Sequence, residues 1–258
     1  MKNHFLFSYC GNKRNETKNF LDIVKLDNIT NIIEPFCGSS ALSYSVWLNS
    51  GENKDKYNYY LNDTDDRLIQ LYNIMKNETV EHIEEEVNKI IQSINNKEEW
   101  NQKLKSDHDI YHFIFFKKYS IMSRYGFPPL DIGKIKKTFK ITKETKEFIE
   151  FIKQPYVYIS NNDWLDVFDK YKDDEKTLFI VDPPYIQLCN DFYTSNKLNM
   201  YQYFYDNKIE NFKSKIYLIL EDNWMIRLLF NKHVVSQYSK KYGITKKQTN
   251  HIIIYNHS

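Results

Sequence analysis

The residues best suited to chemistry are Asp182, Pro183, Pro184 and Tyr185, which follow directly on the apolar run Leu178–Val181. An exocyclic amine on a nucleobase is a poor nucleophile, because its lone pair is conjugated into the ring. A carboxylate and a proline carbonyl can each accept one amine hydrogen. That draws the nitrogen towards tetrahedral geometry and aims its lone pair at an electrophilic methyl group. Here the acceptors would be Asp182 and the Pro183 carbonyl, with Tyr185 stacking on an extruded base. The two prolines fix the backbone, so these groups point in preset directions. A structural turn with a capping Asp is the plainer alternative.

Two further stretches suit a cofactor. Ile32-Ile33-Glu34-Pro35-Phe36-Cys37-Gly38-Ser39-Ser40-Ala41 reads as a strand entering a tight loop of small residues and then a helix, Leu42–Leu48. Small residues let the backbone approach a ligand at a helix N-terminus. Tyr60-Leu61-Asn62-Asp63 ends a second strand in a carboxylate, the arrangement that grips ribose hydroxyls. A plain strand-to-helix turn and a capping Asp are the respective alternatives. His108 and His112 stand four apart without a neighbouring Glu or third ligand, so they read as a solvated helix face and no metal is expected.

The elements that position these residues alternate. Apolar runs at 31–34, 57–61, 156–159, 178–181, 216–220 and 251–255 read as strands buried on both faces. Helical stretches at Asp66–Lys76, Trp164–Tyr171 and Trp224–Phe230 lie between them. The expectation is an α/β fold: an open, mostly parallel sheet with helices on both faces. Residues 64–150 contain no convincing strand and carry helical periodicity at Val80, Ile83, Val87, Ile90, Ile91 and Ile94. This segment is too long for a loop, and reads as a helical subdomain inserted into a core formed by residues 1–63 and 151–258. The polar segment Ile186–Asn199 is expected to form a loop closing over the extruded base.

Composition bounds the partners. Among 258 residues, 36 are basic and 34 acidic, so net charge says little. Its distribution says more. Residues 78–99 carry a net −5, residues 113–143 a net +7, and the tail 231–258 five Lys and no acid. A polarised surface with one face for polyanions follows. Three cysteines, Cys10, Cys37 and Cys189, share no ligand spacing and argue against a secreted disulfide scaffold. The first residues are too short an apolar run for a signal peptide, and no stretch approaches the ~18 apolar residues of a membrane span. A soluble intracellular protein is expected. Four Arg against 32 Lys fits an AT-rich coding sequence, whether bacterial, phage or viral. A retained Arg therefore draws notice.

With these motifs in this order, the chain resembles the Dam-type (alpha-group) DNA adenine methyltransferases, which use S-adenosylmethionine. Phe7-Ser8-Tyr9-Cys10-Gly11-Asn12-Lys13 is similar to the family's N-terminal aromatic-x-Gly-Gly-Lys segment. Glu34–Ser40 resembles its Glu-Pro-Phe-x-Gly loop, Tyr60–Tyr72 follows its next pattern closely, and Asp182–Tyr185 is its catalytic tetrapeptide. Lys246–Tyr255 looks like its last strand. The resemblance implies a Rossmann-like methyltransferase core. It also implies S-adenosylmethionine as cofactor, S-adenosylhomocysteine as product, and double-stranded DNA as substrate.

Carried over by position, the resemblance implies that Tyr9, Lys13, Asp63 and Asp182 contact the cofactor. The loop Glu34, Phe36, Cys37, Gly38, Ser39 and Ser40 lies beneath it, and Asp163 and Trp164 flank its adenine. The insertion becomes the target-recognition domain, with Tyr119, Ser120, Met122 and Arg124 in its DNA-reading region. Arg124 would read guanine in the major groove. Ser8 lies at a base-contacting position, and Lys117, Lys118, Lys134, Lys136, Lys137, Lys246 and Lys247 could meet phosphates. Ser8 and Ser120 replace a Lys and an Asn of GATC-reading members, so a GATC-like site stays one option. Ser40 and Asn12 each replace a glycine. A DNA-binding relative that has lost catalysis, and a methyltransferase acting on RNA or a protein amide, are the alternatives. Monomers are the expectation, and a companion restriction endonuclease is an open partner.

Overall fold

The computed structural model describes residues 2–9, 11–106, 109–120, 132–135, 138–184, 198–241 and 248–257. Seven strands form one sheet: β1 (Asn31–Glu34), β2 (Asn58–Asn62), β3 (Val157–Ser160), β4 (Thr177–Val181), β5 (Lys215–Glu221), β6 (Val234–Lys241) and β7 (Gln248–Tyr255). Their spatial order is β3-β2-β1-β4-β5-β7-β6. The first five run parallel, while β7 is antiparallel to both β5 and β6.

Strand alternation divides the core. Ile32, Leu178, Ile180 and Ile253 face one apolar layer with Phe20, Leu42, Phe148 and Phe151. Ile33, Phe179, Val181 and Ile252 face another with Phe168, Phe204, Phe212 and Phe230. The first layer is supplied by α1 (Thr17–Leu21), α2 (Ala41–Asn49), α3 (Asp66–Asn77) and α7 (Lys143–Ile152). The second comes from α8 (Trp164–Tyr171), α9 (Leu198–Asp206) and α10 (Trp224–Phe230). A strand residue thus meets apolar surface whichever way it points, which is why these runs are nearly continuously hydrophobic.

Between β2 and β3 the described residues contain no strand. They form α3, α4 (Val80–Gln92), α5 (Lys97–Lys105), α6 (Ile110–Tyr119) and α7. Polar caps start several of these: Asp65 accepts N–H groups of Arg67 and Leu68, and Asp109 those of Tyr111 and His112. Buried Glu84 on α4 accepts the Ile141 N–H at 2.8 Å and the Lys140 ammonium at 2.7 Å. Asn88 exchanges two hydrogen bonds with the Phe139 backbone. The apolar core continues from the sheet into this segment, since Trp100, Phe115 and Phe116 share one cluster with Ile32 and Tyr59.

The strand expected at 57–61 runs from 58 to 62, and β6 with helices α1, α5, α7 and α9 adds to the elements read from sequence. Of the expected closing loop, residues 198 and 199 begin α9; the rest lies outside the described residues.

Candidate active site

In this sheet the strand order reverses between β1 and β4, and ligands of open α/β sheets bind beyond the carboxyl ends at such a point. Glu34, Asn62, Ser160 and Val181 end their strands along that edge. Asn62, fully buried, ties three of the strand ends together. Its Nδ2 donates to the carbonyls of Pro35 and Asn162 at 3.1 and 3.0 Å. Its Oδ1 accepts from Ser160 Oγ at 2.8 Å and the Asn162 N–H at 2.9 Å. An amide at the end of an apolar strand is the sequence signal for this role. Asn62→Ala would strand several buried polar groups, at roughly 1–3 kcal/mol for each unsatisfied one. A loss of about 3 kcal/mol or more in urea unfolding is the expected outcome.

Asp182 follows β4 directly, and its Oδ2 accepts a hydrogen bond from the Lys13 ammonium, which reaches across from the N-terminal segment. The Lys13 side chain is 5% exposed and that of Asp182 18%, so the pair is shielded while the carboxylate keeps an open side. Burial pushes the Asp182 carboxyl above its ordinary value, opposed chiefly by Lys13 and then Lys240. Burial likewise lowers the Lys13 ammonium, opposed by Asp182. Pro183 is buried and Pro184 half-buried. The Tyr201 hydroxyl donates to the Pro184 carbonyl at 3.5 Å; nothing in the sequence around α9 singled this tyrosine out. Tyr185 lies outside the described residues.

Beside Asp182 the loop after β1 is bound from below and from the side. The Gly38 N–H donates to Asp63 Oδ2 at 3.0 Å, and the Gly38 carbonyl accepts from the Tyr72 hydroxyl at 2.8 Å. Gly38 has φ +49°, and a Cβ there would come within 3.2 Å of the Tyr9 ring, so glycine serves both conformation and close packing. Ser40 has φ +48°, a left-handed conformation costing a non-glycine residue about 1–2 kcal/mol. Its hydroxyl lies 2.9 Å from the Tyr72 hydroxyl, a buried hydrogen bond that acts against this cost. Buried Ser39 accepts from His4 Nε2 at 2.8 Å through its carbonyl, and Cys37 is buried with its N–H on the Asn62 carbonyl at 2.8 Å.

Glu34 lies behind this loop, where its Oε1 accepts the Ser43 N–H at 2.7 Å in the first turn of α2. Burial pushes its pKa up to about 8, so it is mostly protonated at neutral pH. The folded state therefore holds this proton more tightly than the unfolded chain does. Its contribution is fully present below the ordinary glutamate range and is lost as pH rises towards 8. Glu34→Gln, an isostere of the protonated acid, should match wild type near pH 4.5 and exceed it in melting temperature at pH 8. Melting curves across that window check the sign.

Further along the edge, Phe36 and Trp164 are half-buried with ring centroids 6.1 Å apart. Asp163 caps α8, its Oδ1 accepting the Leu165 N–H at 2.8 Å. The structure thus brings Tyr9, Lys13, Glu34, Gly38, Asp63 and Asp182 to one region, with Phe36 and Trp164 on its flank. Of the expected DNA contacts, Ser8 and Lys118 are exposed and Lys117 half-buried. Tyr119 packs on Phe115 at 5.3 Å, and Ser120 is 7% exposed at the end of α6, turned into the fold. Lys134 ends a short 3-10 helix, Ile132–Lys134. Met122, Arg124, Lys136, Lys137, Lys246 and Lys247 lie outside the described residues. Among the described residues no His/Cys/Asp/Glu group of three could hold a metal, and no helix is long and apolar enough to cross a membrane.

A largely parallel sheet with an antiparallel closing strand, and an acidic, proline-bearing end to β4 at the switch point, define a Rossmann-like core with its candidate site at that point. Over residues 9–252 the chain matches the model of the D12 class N6 adenine-specific DNA methyltransferases, and it belongs to that family. Among solved structures, a protein described as a class I S-adenosylmethionine-dependent methyltransferase from Listeria monocytogenes is similar with TM-score 0.42 and 8% identity. That match covers 93% of this chain and 58% of the other. A second, described as a methyltransferase complexed with SAH, has TM-score 0.39 and 12% identity over 94% of this chain and 52% of its own. The chain spans little more than half the length of either. No curated protein matches it in sequence.

Proposed function

We propose that this protein transfers a methyl group to the exocyclic amino nitrogen of adenine in duplex DNA, using S-adenosylmethionine. The observation that carries this reading is the placement of Asp182: an acceptor carboxylate at the switch point, paired with Lys13 and followed by two prolines. The loop chemistry fits the cofactor. Asp63 takes N–H groups from Gly38 and Asp65 at 3.0 and 3.1 Å, which orients its carboxylate. Carboxylates offer about four acceptor sites, so capacity remains for ribose hydroxyls. Tyr9, Gly38, Ser39 and Ser40 would line the methionine part, and Phe36, Asp163 and Trp164 the adenine. When bound, the cofactor supplies a methyl group on a positively charged sulfur.

The chain's own residues do the rest. Lys13 holds Asp182 in its charged form and fixes its orientation. Asp182 and the Pro183 carbonyl accept the two amine hydrogens of the target adenine. Tyr185 stacks on that base once it leaves the duplex. The amine's extra proton departs after methylation, so no separate general base is required. Residues 64–150 form the target-recognition unit, with Arg124 as its guanine reader. Basic residues such as Lys117 and Lys118 position the duplex through phosphates.

Transfer of labelled methyl groups to duplex DNA, single-stranded DNA and RNA of one sequence tests the substrate class. Preferential labelling of the unmethylated duplex is expected. Equal or greater labelling of RNA would overturn it.

A further inference from the structure

Asp182 and Lys13 are not the only charges buried at this edge. Glu16, which precedes α1, is 3% exposed, and its Oε1 meets Lys240 Nζ at 2.5 Å, with Lys240 13% exposed. Two local structures bring them together. The Glu16 N–H donates to the Lys13 carbonyl at 2.9 Å, so one backbone turn carries both Lys13 and Glu16. Alternation along β6 puts Lys240 on the same face as Tyr238, which packs against the layer that includes Phe20. The N-terminal turn and the β6–β7 hairpin therefore meet through this pair.

We infer that Glu16 and Lys240 are positioning residues for the catalytic carboxylate: Lys240 occupies Glu16, and so keeps Lys13 on Asp182. The inference rests on the methyl-transfer reading of Asp182. Its physical basis is competition. Lys13 is attracted by two carboxylates, Asp182 and Glu16, and repelled by Lys240. The four charges sum to zero in either pairing, but only the observed one leaves Lys13 on Asp182, with Lys240 on Glu16. Fold stability is a weak reason for such an arrangement, because buried ion pairs exchanged for apolar pairs are often neutral or more stable. What the second pair fixes is which carboxylate Lys13 serves.

Among the described residues, two ionisable groups close to these four carry little charge at neutral pH. Glu34 at the end of β1 is pushed up to about 8, and His251 on β7 is held down to about 3, both chiefly by burial. Burial also raises the Tyr201 hydroxyl on α9, with Asp182 adding to the shift. Tyr238 stacks on His251 with centroids 5.6 Å apart. Glu221 on β5 acts on Tyr201 as well. Lys240 lowers the Asp182 carboxyl and Glu16 raises it, so their removal should have opposite signs.

The test follows the Asp182 carboxyl directly, in full-length protein labelled with carbon-13 at aspartate Cγ. The signal is assigned by its loss in Asp182→Asn, and the pH profile of methyl transfer is recorded beside it. In Lys240→Met the titration midpoint should rise by about one unit, since a nearby charge shifts a carboxyl by one to three. The acid limb of turnover should rise with it. In Glu16→Gln the midpoint should fall. The double variant, which leaves no unpaired charge, should return to the wild-type midpoint, and Lys240→Arg should never leave it.

Destabilised variants whose midpoints all coincide with wild type would show a purely structural pair and overturn the inference. If Lys240→Met does not fold, Glu16→Gln and the double variant decide alone: equal midpoints in both overturn it. Opposed shifts in the variants, together with a wild-type protein that transfers no methyl group, would instead refute the methyl-transfer reading and leave the pairing intact.

Discussion

Asp182→Asn will lower the turnover number by about 10²–10³-fold, the scale seen when a preorganised polar group at a reacting centre is removed. The substitution keeps the shape and one acceptor oxygen but removes the charge. The amine of the target base then loses its strongest acceptor, and its nitrogen stays closer to planar. Folding should survive. Lys13 is buried and its ammonium is already lowered by that burial, so without its partner it can shed its proton rather than remain an isolated charge. Melting temperature and turnover measured on one preparation separate the two effects. A turnover within a few-fold of wild type would remove Asp182 from the reaction.

Lys13→Met should act differently, through pH. Lys13 is the first influence opposing the burial-driven rise of the Asp182 carboxyl. Without it the carboxyl moves further upward, by about one to three units. The charged form is the active one and dominates above the folded-state pKa. Activity is therefore lost at neutral pH and recovers as pH rises. A turnover deficit at pH 7 that shrinks towards pH 9 is the expected profile. If Lys13 served only to touch cofactor, the Michaelis constant for cofactor would rise and the limbs of the profile would stay in place.

The sequence made the carboxyl-edge site legible because its parts are local. Glu34–Ser40, Tyr60–Asp63 and Asp182–Tyr185 each combine a strand end with its loop, and the sheet order brings those ends together. β6 escaped notice for a physical reason. It is an edge strand, with Ser236, Gln237 and Ser239 among its residues, and an edge exposed to solvent favours polar side chains over an apolar run. The long-range contacts escaped for another. Lys13 meets Asp182 across 169 residues, and Asn62 meets Asn162 across 100. Nothing in residue spacing announces either. Lys13 was expected on the cofactor, and the structure adds its hold on Asp182. Ser120 lay in a stretch expected to read DNA; its place inside the end of α6 is set by tertiary packing, which periodicity does not report.

The most direct test of adenine methylation through Asp182 uses unmethylated genomic DNA incubated with S-adenosylmethionine and either wild-type protein or Asp182→Asn. Single-molecule sequencing then locates every N6-methyladenine. The account predicts methylated adenine within one recurring sequence for the wild type, and none above background for the variant. Unmodified adenines in both samples, or equal methylation in both, would contradict it.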